Sequence, residues 1–451
     1  MPLPRIPFAR FRYASLTPSW ARQPSCLQPR HCAKPHHMRR NSTYTQGNSQ
    51  AADIRSNSIL PQGRVVIPDY PIEINDRKVS VNGKDLPNIW LRDNCQCSSC
   101  MHPDTKQRML DTFTIPQDIA INNASVSDHG VRIEWSDNHS SLYPRALLLQ
   151  AASPPTQRSI IRLGLPPTLT LWGSEIGHAP PIEHHPSPSS SSSSTLPLAA
   201  ILSKIRTHGF CYIDATPPTP SATSALLTQI AFIRPTHYGA FYDFTSDLSS
   251  ADTAYTTLAL PAHTDTTYFS DPAGLQAFHL LSHTRGAGGA SLLVDGFKAA
   301  SDLHAADPAA YAVLSSVNVH AHASGNRGIS IQAHRGFPVL QHDGATGALL
   351  QVRWNTADRA GVELPVHEAG RWYDAARKFD ALLKKRENEY WEQLTPGRVL
   401  VFDNWRVLHG RSAFTGERRV CGGYVNRDDW ISKYKMVTMG QEKVLAHLAS
   451  G

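Results

Sequence analysis

Short runs of β-formers separated by turn residues dominate the first third of the chain after residue 63. Val65-Val66-Ile67, Lys78-Val79-Ser80-Val81 and Val131-Arg132-Ile133-Glu134-Trp135 predict strands, with tight turns at Asn82-Gly83 and His129-Gly130. This is a small β-rich domain over residues 63–165. Residues 183–197, with Pro186-Ser187-Pro188 and an unbroken serine run, hold nothing to pack and predict a linker or surface insertion. The second domain, residues 198–440, opens with a helix near Leu198 to His208 and the strand Gly209-Phe210-Cys211-Tyr212-Ile213. From Trp372 to Trp391 apolar residues recur at helical spacing (Trp372, Ala376, Phe379, Leu382, Leu383, Tyr390), which predicts a helix covering a sheet. Residues 252 to 269 are rich in Tyr, Thr and Phe and predict a strand. The fold class is mainly β with flanking helices, and there is no internal repeat.

The net charge of +7 raises the question of a nucleic-acid partner. Its distribution answers it: residues 1–52 hold Arg5, Arg10, Arg12, Arg22, Arg30, Arg39, Arg40 and Lys34 with no acid, so the rest of the chain is close to neutral. No polyanion groove and no anionic membrane surface is implied. An acid-free, Arg-rich opening with Ser and Thr fits a mitochondrial presequence, with residues near Phe8 to Thr17 able to form an amphipathic helix; a basic tail without an address is the alternative, which leaves the protein cytoplasmic. No apolar run approaches the ~20 residues of a membrane span.

Three of the seven cysteines crowd into Cys95-Gln96-Cys97-Ser98-Ser99-Cys100. One more ligand would close a tetrahedral structural zinc site. His139 is the favoured fourth ligand and His102 the alternative, which would have to fold sharply back. Redox-active thiols are the competing reading, less favoured because the three thiols, Cys97-Ser98-Ser99-Cys100 included, lack the setting of a C-x-x-C oxidoreductase.

His263-Thr264-Asp265, answered by His409, offers two histidines and a carboxylate, the ligand set of a non-haem iron(II) oxygenase. On one strand His263 and Asp265 would project to the same side. With 22 histidines the motif also arises by chance, as at His102-Pro103-Asp104, where proline opposes a regular strand.

Taken together, Trp90-Leu91-Arg92-Asp93-Asn94-Cys95, His263-Thr-Asp-Thr-Thr-Tyr-Phe269, Leu292-Leu-Val-Asp-Gly-Phe297, Pro396-Gly-Arg-Val-Leu400, Phe402-Asp-Asn-Trp-Arg-Val-Leu-His-Gly-Arg411 and Cys421-Gly-Gly-Tyr424 resemble the carnitine-biosynthesis hydroxylases over roughly residues 63 to 440. The resemblance implies a double-stranded β-helix (jelly roll) catalytic domain preceded by a small zinc-bound β-rich domain. It implies iron(II) on His263, Asp265 and His409, 2-oxoglutarate as cosubstrate, O2, and ascorbate to keep the iron reduced. Arg418 sits where the family places the arginine for the far carboxylate of 2-oxoglutarate, with Arg411 and Arg419 as rivals, and Ser291 stands where a hydroxyl, often Thr, binds the same group. A trimethylammonium group donates no hydrogen bond and is held by aromatic faces. The family's cage carries over to Tyr238, Tyr242, Tyr255 and Tyr424, with Tyr242 in place of the expected Trp.

Within the family, Thr266-Thr267-Tyr268-Phe269 and Asn426-Arg427-Asp428-Asp429 point to hydroxylation of trimethyllysine at C3, the first step of carnitine biosynthesis, rather than of γ-butyrobetaine. Asp252, which would pair with the α-ammonium group, and Asn355 are the candidates for the polar end. The resemblance also suggests a homodimer, in the mitochondrial matrix if the presequence reading holds. γ-Butyrobetaine hydroxylase or another small-molecule oxygenase is the second reading, and a non-catalytic zinc-stabilised binding module is the rival from another class.

Overall fold

The computed structural model describes residues 57–59, 64–67, 70–75, 78–154, 169–185, 196–245 and 256–448. The basic segment 1–52, most of the Ser/Pro segment, Asp252 and Tyr255 lie outside the described residues.

Two four-stranded antiparallel sheets form the first part. One is a meander of Arg64–Ile67, Tyr70–Ile74, Lys78–Val81 and Lys84–Pro87. Its last turn has positive φ at both Asn82 (51°) and Gly83 (71°), the conformation that a two-residue hairpin loop demands. The other sheet joins Asn57–Ile59, Ile121–Ser127, Gly130–Trp135 and Ser140–Tyr143. The alternation along Gly130–Trp135 does what the sequence requires: Val131, Ile133 and Trp135 are buried while Arg132 and Glu134 face outward. Trp135 donates Nε1–H to Ser141 Oγ at 2.9 Å and Tyr143 its hydroxyl to Leu91 O at 2.6 Å, so both large aromatics enter the core with their polar ends satisfied.

Ten strands make the two facing sheets of the second part: β1 Ile182–His184, β2 Phe210–Asp214, β3 Phe241–Thr245, β4 Leu260–His263, β5 Leu275–Thr284, β6 Ser291–Asp295, β7 Tyr390–Glu392, β8 Val399–Asp403, β9 Val407–Arg411 and β10 Glu417–Val425. The major sheet runs β3-β10-β5-β8-β2-β1 and the minor sheet β4-β9-β6-β7, antiparallel except for the β1–β2 edge pair. Phe210, Tyr212, Leu280, Leu400, Phe402 and Val420 from the major sheet pack against Leu293 and Val407 from the minor one. This is the expected jelly-roll arrangement. Helices Leu196–His208, Pro220–Ile230 and Arg427–Met439 cover the outer face of the major sheet, while Gly296–Ala306, Pro308–Ser316 and Ala369–Leu383 bury an apolar cluster beside the minor one. Among the described residues no helix is long and apolar enough to cross a membrane.

Two expected elements differ. The helix anticipated from Trp372 to Trp391 stops at Leu383, because Asn388 turns its amide back onto Leu382 O at 2.9 Å and Tyr390–Glu392 then pairs with Ser291–Leu293 as a strand. Tyr390 kept the helical phase by coincidence. The strand anticipated over 252 to 269 is confined, among its described residues, to Leu260–His263. Thr264 bonds reciprocally with Trp354 (N–H to Trp354 O 2.7 Å, and Trp354 N–H to Thr264 Oγ1 2.9 Å), and the chain then bends at Thr266 with φ 59°. Asp265 therefore sits just past the strand end rather than on it.

Candidate metal centre and active site

The cross-strand register explains how distant residues meet. His263 on β4 is the direct partner of His409 on β9, and their rings lie 4.3 Å apart. Asp265 closes the group with Oδ1 3.2 Å from His263 Nε2 and Oδ2 3.9 Å from His409 Nε2. His263 donates Nδ1–H to Pro261 O at 2.8 Å, which turns Nε2 toward the carboxylate. Asn404, fully buried, fixes the backbone at this point: its Oδ1 accepts from Asp265 N at 2.8 Å and its Nδ2 donates to Asp265 O and Ala273 O, each at 3.0 Å. The charges follow the geometry. Burial works against ionised Asp265, but the charge of His409 and the bond and charge of His263 outweigh it and hold the carboxyl well below its usual range. Burial, with the charge of His263, pushes His409 down to about 3. For His263 the bond and charge of Asp265 overcome burial and raise it. Three ligating atoms thus converge with one negative charge among them.

A cavity of about 190 Å³ opens onto this group, lined by Tyr238, Tyr242, Tyr424, Ser291, Arg411, Arg418 and Asn355 among others. Period-two alternation puts Arg418, Val420 and Tyr424 of β10 on this face, and Gln276 and Phe278 of β5 beside them. Gly422 lies in the same phase. A Cβ there would meet Ala277 O at 1.9 Å and the Tyr242 ring at 2.8 Å, so glycine makes the room that the Tyr242 side chain occupies.

The three arginines separate clearly. Arg419 pairs in bidentate fashion with Asp243 (2.8 and 2.6 Å) on the exposed side of the sheet. Arg411 donates to Thr256 O (2.6 Å) and Leu258 O (2.9 Å), which ties the segment leading into β4 to β9. Arg418 is buried, with no acid and no hydrogen-bond acceptor opposite it among the described residues, and burial beside Arg411 pushes it down to about 10. A buried guanidinium in a cavity fits an anionic ligand.

Of the aromatic residues, Tyr242 and Tyr424 stand edge to face at 5.8 Å, with the Tyr242 hydroxyl donating to Ala277 O at 2.5 Å. Tyr424 also donates its hydroxyl to Asp265 Oδ2 at 2.7 Å; burial first, then the Asp265 charge, raises its pKa well above the ordinary value, so it stays a donor. Tyr238 stacks on His237 at 3.9 Å. Sequence reasoning passed over Tyr268, Phe244, Phe278 and Gln276, although strand alternation carried the signal for the last two. It also passed over Asp358, the second carboxylate on the cavity wall after Asp265, which accepts from Asn355 Nδ2 at 2.9 Å.

In the N-terminal part, the Sγ atoms of Cys95, Cys97 and Cys100 lie 3.3, 3.5 and 3.5 Å from His139 Nε2. Near-equal spacing of three sulfurs about one imidazole nitrogen is the shape of a tetrahedral donor set. Arg92 donates to Cys100 Sγ and to Asp137, whose other oxygen accepts from His139 N. Cys97 falls to about 6: burial opposes the thiolate, and the hydrogen bonds from Ser99 prevail. His102 stays out of the cluster, half-buried, with its Nδ1 accepting from Asp104 N and Thr105 N.

Residues 174–424 match the model described as taurine catabolism dioxygenase TauD, TfdA family, and residues 72–149 match gamma-butyrobetaine hydroxylase-like, N-terminal. The chain is 46% identical over 410 residues to the trimethyllysine dioxygenase of Neurospora crassa, covering 83% of this chain and 85% of that protein. It is 37% identical over 355 residues to the mitochondrial trimethyllysine dioxygenase of Homo sapiens (77% and 82% covered), and 30% over 350 residues to the gamma-butyrobetaine dioxygenase of Pseudomonas sp. (strain AK-1) (77% and 88%). With a model spanning more than half of its length and relatives matched over most of theirs, the chain belongs to the TauD, TfdA family of dioxygenases.

Proposed function

We propose that this protein catalyses the iron(II)- and 2-oxoglutarate-dependent hydroxylation of N6,N6,N6-trimethyllysine at C3, the first step of carnitine biosynthesis. The observation that carries the reading is the presence in one cavity of the His263, Asp265, His409 group, the buried Arg418, unpaired among the described residues, and a wall of tyrosines. His263, Asp265 and His409 would hold the iron, a donor set that suits iron(II). When bound, the iron and 2-oxoglutarate supply the oxidation: O2 is consumed, 2-oxoglutarate yields succinate and carbon dioxide, and one oxygen atom enters the substrate C–H bond.

The side chains supply placement. Arg418 receives the far carboxylate of 2-oxoglutarate, with Ser291 on the same wall; Arg411 steadies the entry to β4. Tyr238, Tyr242 and Tyr424, together with Tyr255, surround the trimethylammonium group, each contact contributing about 0.5–2 kcal/mol. Asn355 and Asp358, with Asp252, meet the amino-acid end, where an acid suits an α-ammonium group that γ-butyrobetaine lacks. Ascorbate keeps the iron reduced. Cys95, Cys97, Cys100 and His139 hold a structural zinc that stabilises the N-terminal domain, 63–165. The working protein is a homodimer of the mitochondrial matrix, a location supported by the Arg-rich, acid-free opening and by the mammalian relative's name.

The test is to incubate purified protein with iron(II), 2-oxoglutarate and ascorbate plus trimethyllysine or γ-butyrobetaine, following succinate and product mass. Succinate formation coupled to a one-oxygen gain on trimethyllysine is expected, and His409→Ala should abolish it. Gain on γ-butyrobetaine alone would move the assignment to that substrate; no coupled turnover of either would overturn it.

A further inference from the structure

Two donors from neighbouring strands converge on one oxygen of Asp265. Gln276 Nε2 and the Tyr424 hydroxyl each lie 2.7 Å from Oδ2, while Oδ1 is the oxygen nearer His263 Nε2, at 3.2 Å. Gln276 on β5 and Tyr424 on β10 are direct cross-strand partners, 3.5 Å apart at their polar ends. Packing alone does not account for Gln276. It is 2% exposed, in an inward position where its neighbours in phase are Phe278 and Leu280, and its Oε1 has no partner among the described residues. Leaving such an oxygen buried without a partner opposes folding. What offsets that cost is a bond from the amide to an ionised carboxylate, which also decides the amide's orientation, since Oε1 would be repelled.

Tyr424 has two neighbours of different kinds. Its hydroxyl meets Asp265, and its ring stands edge to face with Tyr242 on the cavity wall.

We propose that Gln276 and Tyr424 are positioning residues for the metal centre: together they hold Oδ2 of Asp265 and so present Oδ1, beside His263 Nε2, as the ligand atom. Tyr424 thereby joins the aromatic wall for the substrate cation to the carboxylate that holds the metal. The inference rests on the ligand set proposed above.

The two functions of Tyr424 separate by atom. Metal-free protein is titrated with Co(II), followed by its visible absorption, for the wild type, Tyr424→Phe, Tyr424→Leu, Gln276→Leu, Tyr242→Phe and His409→Ala, and trimethyllysine affinity is measured on the Co(II) forms. Loss of a partner of a metal ligand weakens metal binding by about 10–100-fold, which is the expectation for Tyr424→Phe and Gln276→Leu. Tyr424→Phe keeps its ring and should keep trimethyllysine affinity, whereas Tyr424→Leu loses both. Tyr242→Phe removes a hydroxyl bonded to a main-chain carbonyl and should bind Co(II) as the wild type does. Wild-type Co(II) affinity in Tyr424→Phe, or an equal loss in Tyr242→Phe, would overturn the inference; undiminished Co(II) binding in His409→Ala would instead overturn the ligand set itself. Gln276→Leu is the larger perturbation, and if it fails to fold, Tyr424→Phe, which removes a single atom, decides the matter.

Discussion

Arg406 and Asp295 form a fully buried bidentate pair, Nε to Oδ1 at 3.0 Å and Nη2 to Oδ2 at 2.7 Å. It joins the turn before β9, the strand of His409, to the end of β6, the strand of Ser291. Arg406 also donates to Thr207 O and Thr170 O, and Asp295 caps the helix Gly296–Ala306. Removing one member leaves the other charge buried alone, so Arg406→Leu should lower stability by about 3–5 kcal/mol, read by urea denaturation.

Arg418 and Arg419 are adjacent in sequence and face opposite ways. Arg418→Ala should raise the KM for 2-oxoglutarate by at least about tenfold, since each factor of ten is about 1.4 kcal/mol and loss of a buried charge pair costs more. Arg419→Ala removes only an exposed, solvent-screened pair with Asp243 and should leave that KM nearly unchanged. Steady-state succinate formation distinguishes the two.

Asp358 predicts a difference between substrates. Asp358→Asn keeps the shape beside Asn355 and removes the charge, so trimethyllysine should lose about tenfold in kcat/KM or more, while an analogue lacking the α-amino group loses little. Equal losses on both would mark Asp358 as a turn residue only.

The buried His279 makes stability depend on pH. Burial pushes it from 6.5 down to about 4, and it is held neutral with Nδ1 on Thr223 Oγ1 (2.7 Å) and Nε2 accepting from Gly397 N (3.2 Å). Between these values the unfolded chain binds the proton and the folded one does not. Stability should therefore fall as pH drops from 6.5 toward 4, by up to about 3 kcal/mol from this group. His279→Gln should flatten that part of the profile in urea melts taken at several pH values.

If the Cys95, Cys97, Cys100 and His139 cluster holds the proposed structural zinc, a strong chelator, or Cys100→Ser, should release the metal and unfold the N-terminal sheets without removing the iron ligands. Zinc release followed by a chromophoric chelator, with circular dichroism of the protein, checks it.

The chemistry was legible where it depends on residue type and spacing. Three cysteines in six positions, the pair His263 and Asp265, and the histidine at 409 stand in the sequence as the structure gathers them. What escaped depends on partners. Gln276 reads as an ordinary strand residue until Tyr424 is placed across from it. The resemblance favoured Arg418 over Arg411 and Arg419, but residue type does not separate them, and the physical difference lies in the positions of Thr256, Leu258 and Asp243. The helix ending at Leu383 was overextended because Tyr390 falls on the helical period, whereas its strand pairing with Leu293 is a tertiary fact. Asp265 was expected on a strand because the bend at Thr266 depends on Trp354 and Asn404, far along the chain.

The pairing of His263 with His409 also sets when the site comes into being. The two strands lie far apart in the sequence of the catalytic domain, so the register that unites them forms only once the long-range sheet has closed. A nascent or partly folded chain carries the early pair of ligands without the third. Oxidative chemistry is thereby withheld until the surrounding walls are in place, and a bound ion stabilises the finished structure alone, by an amount that grows with the free metal concentration.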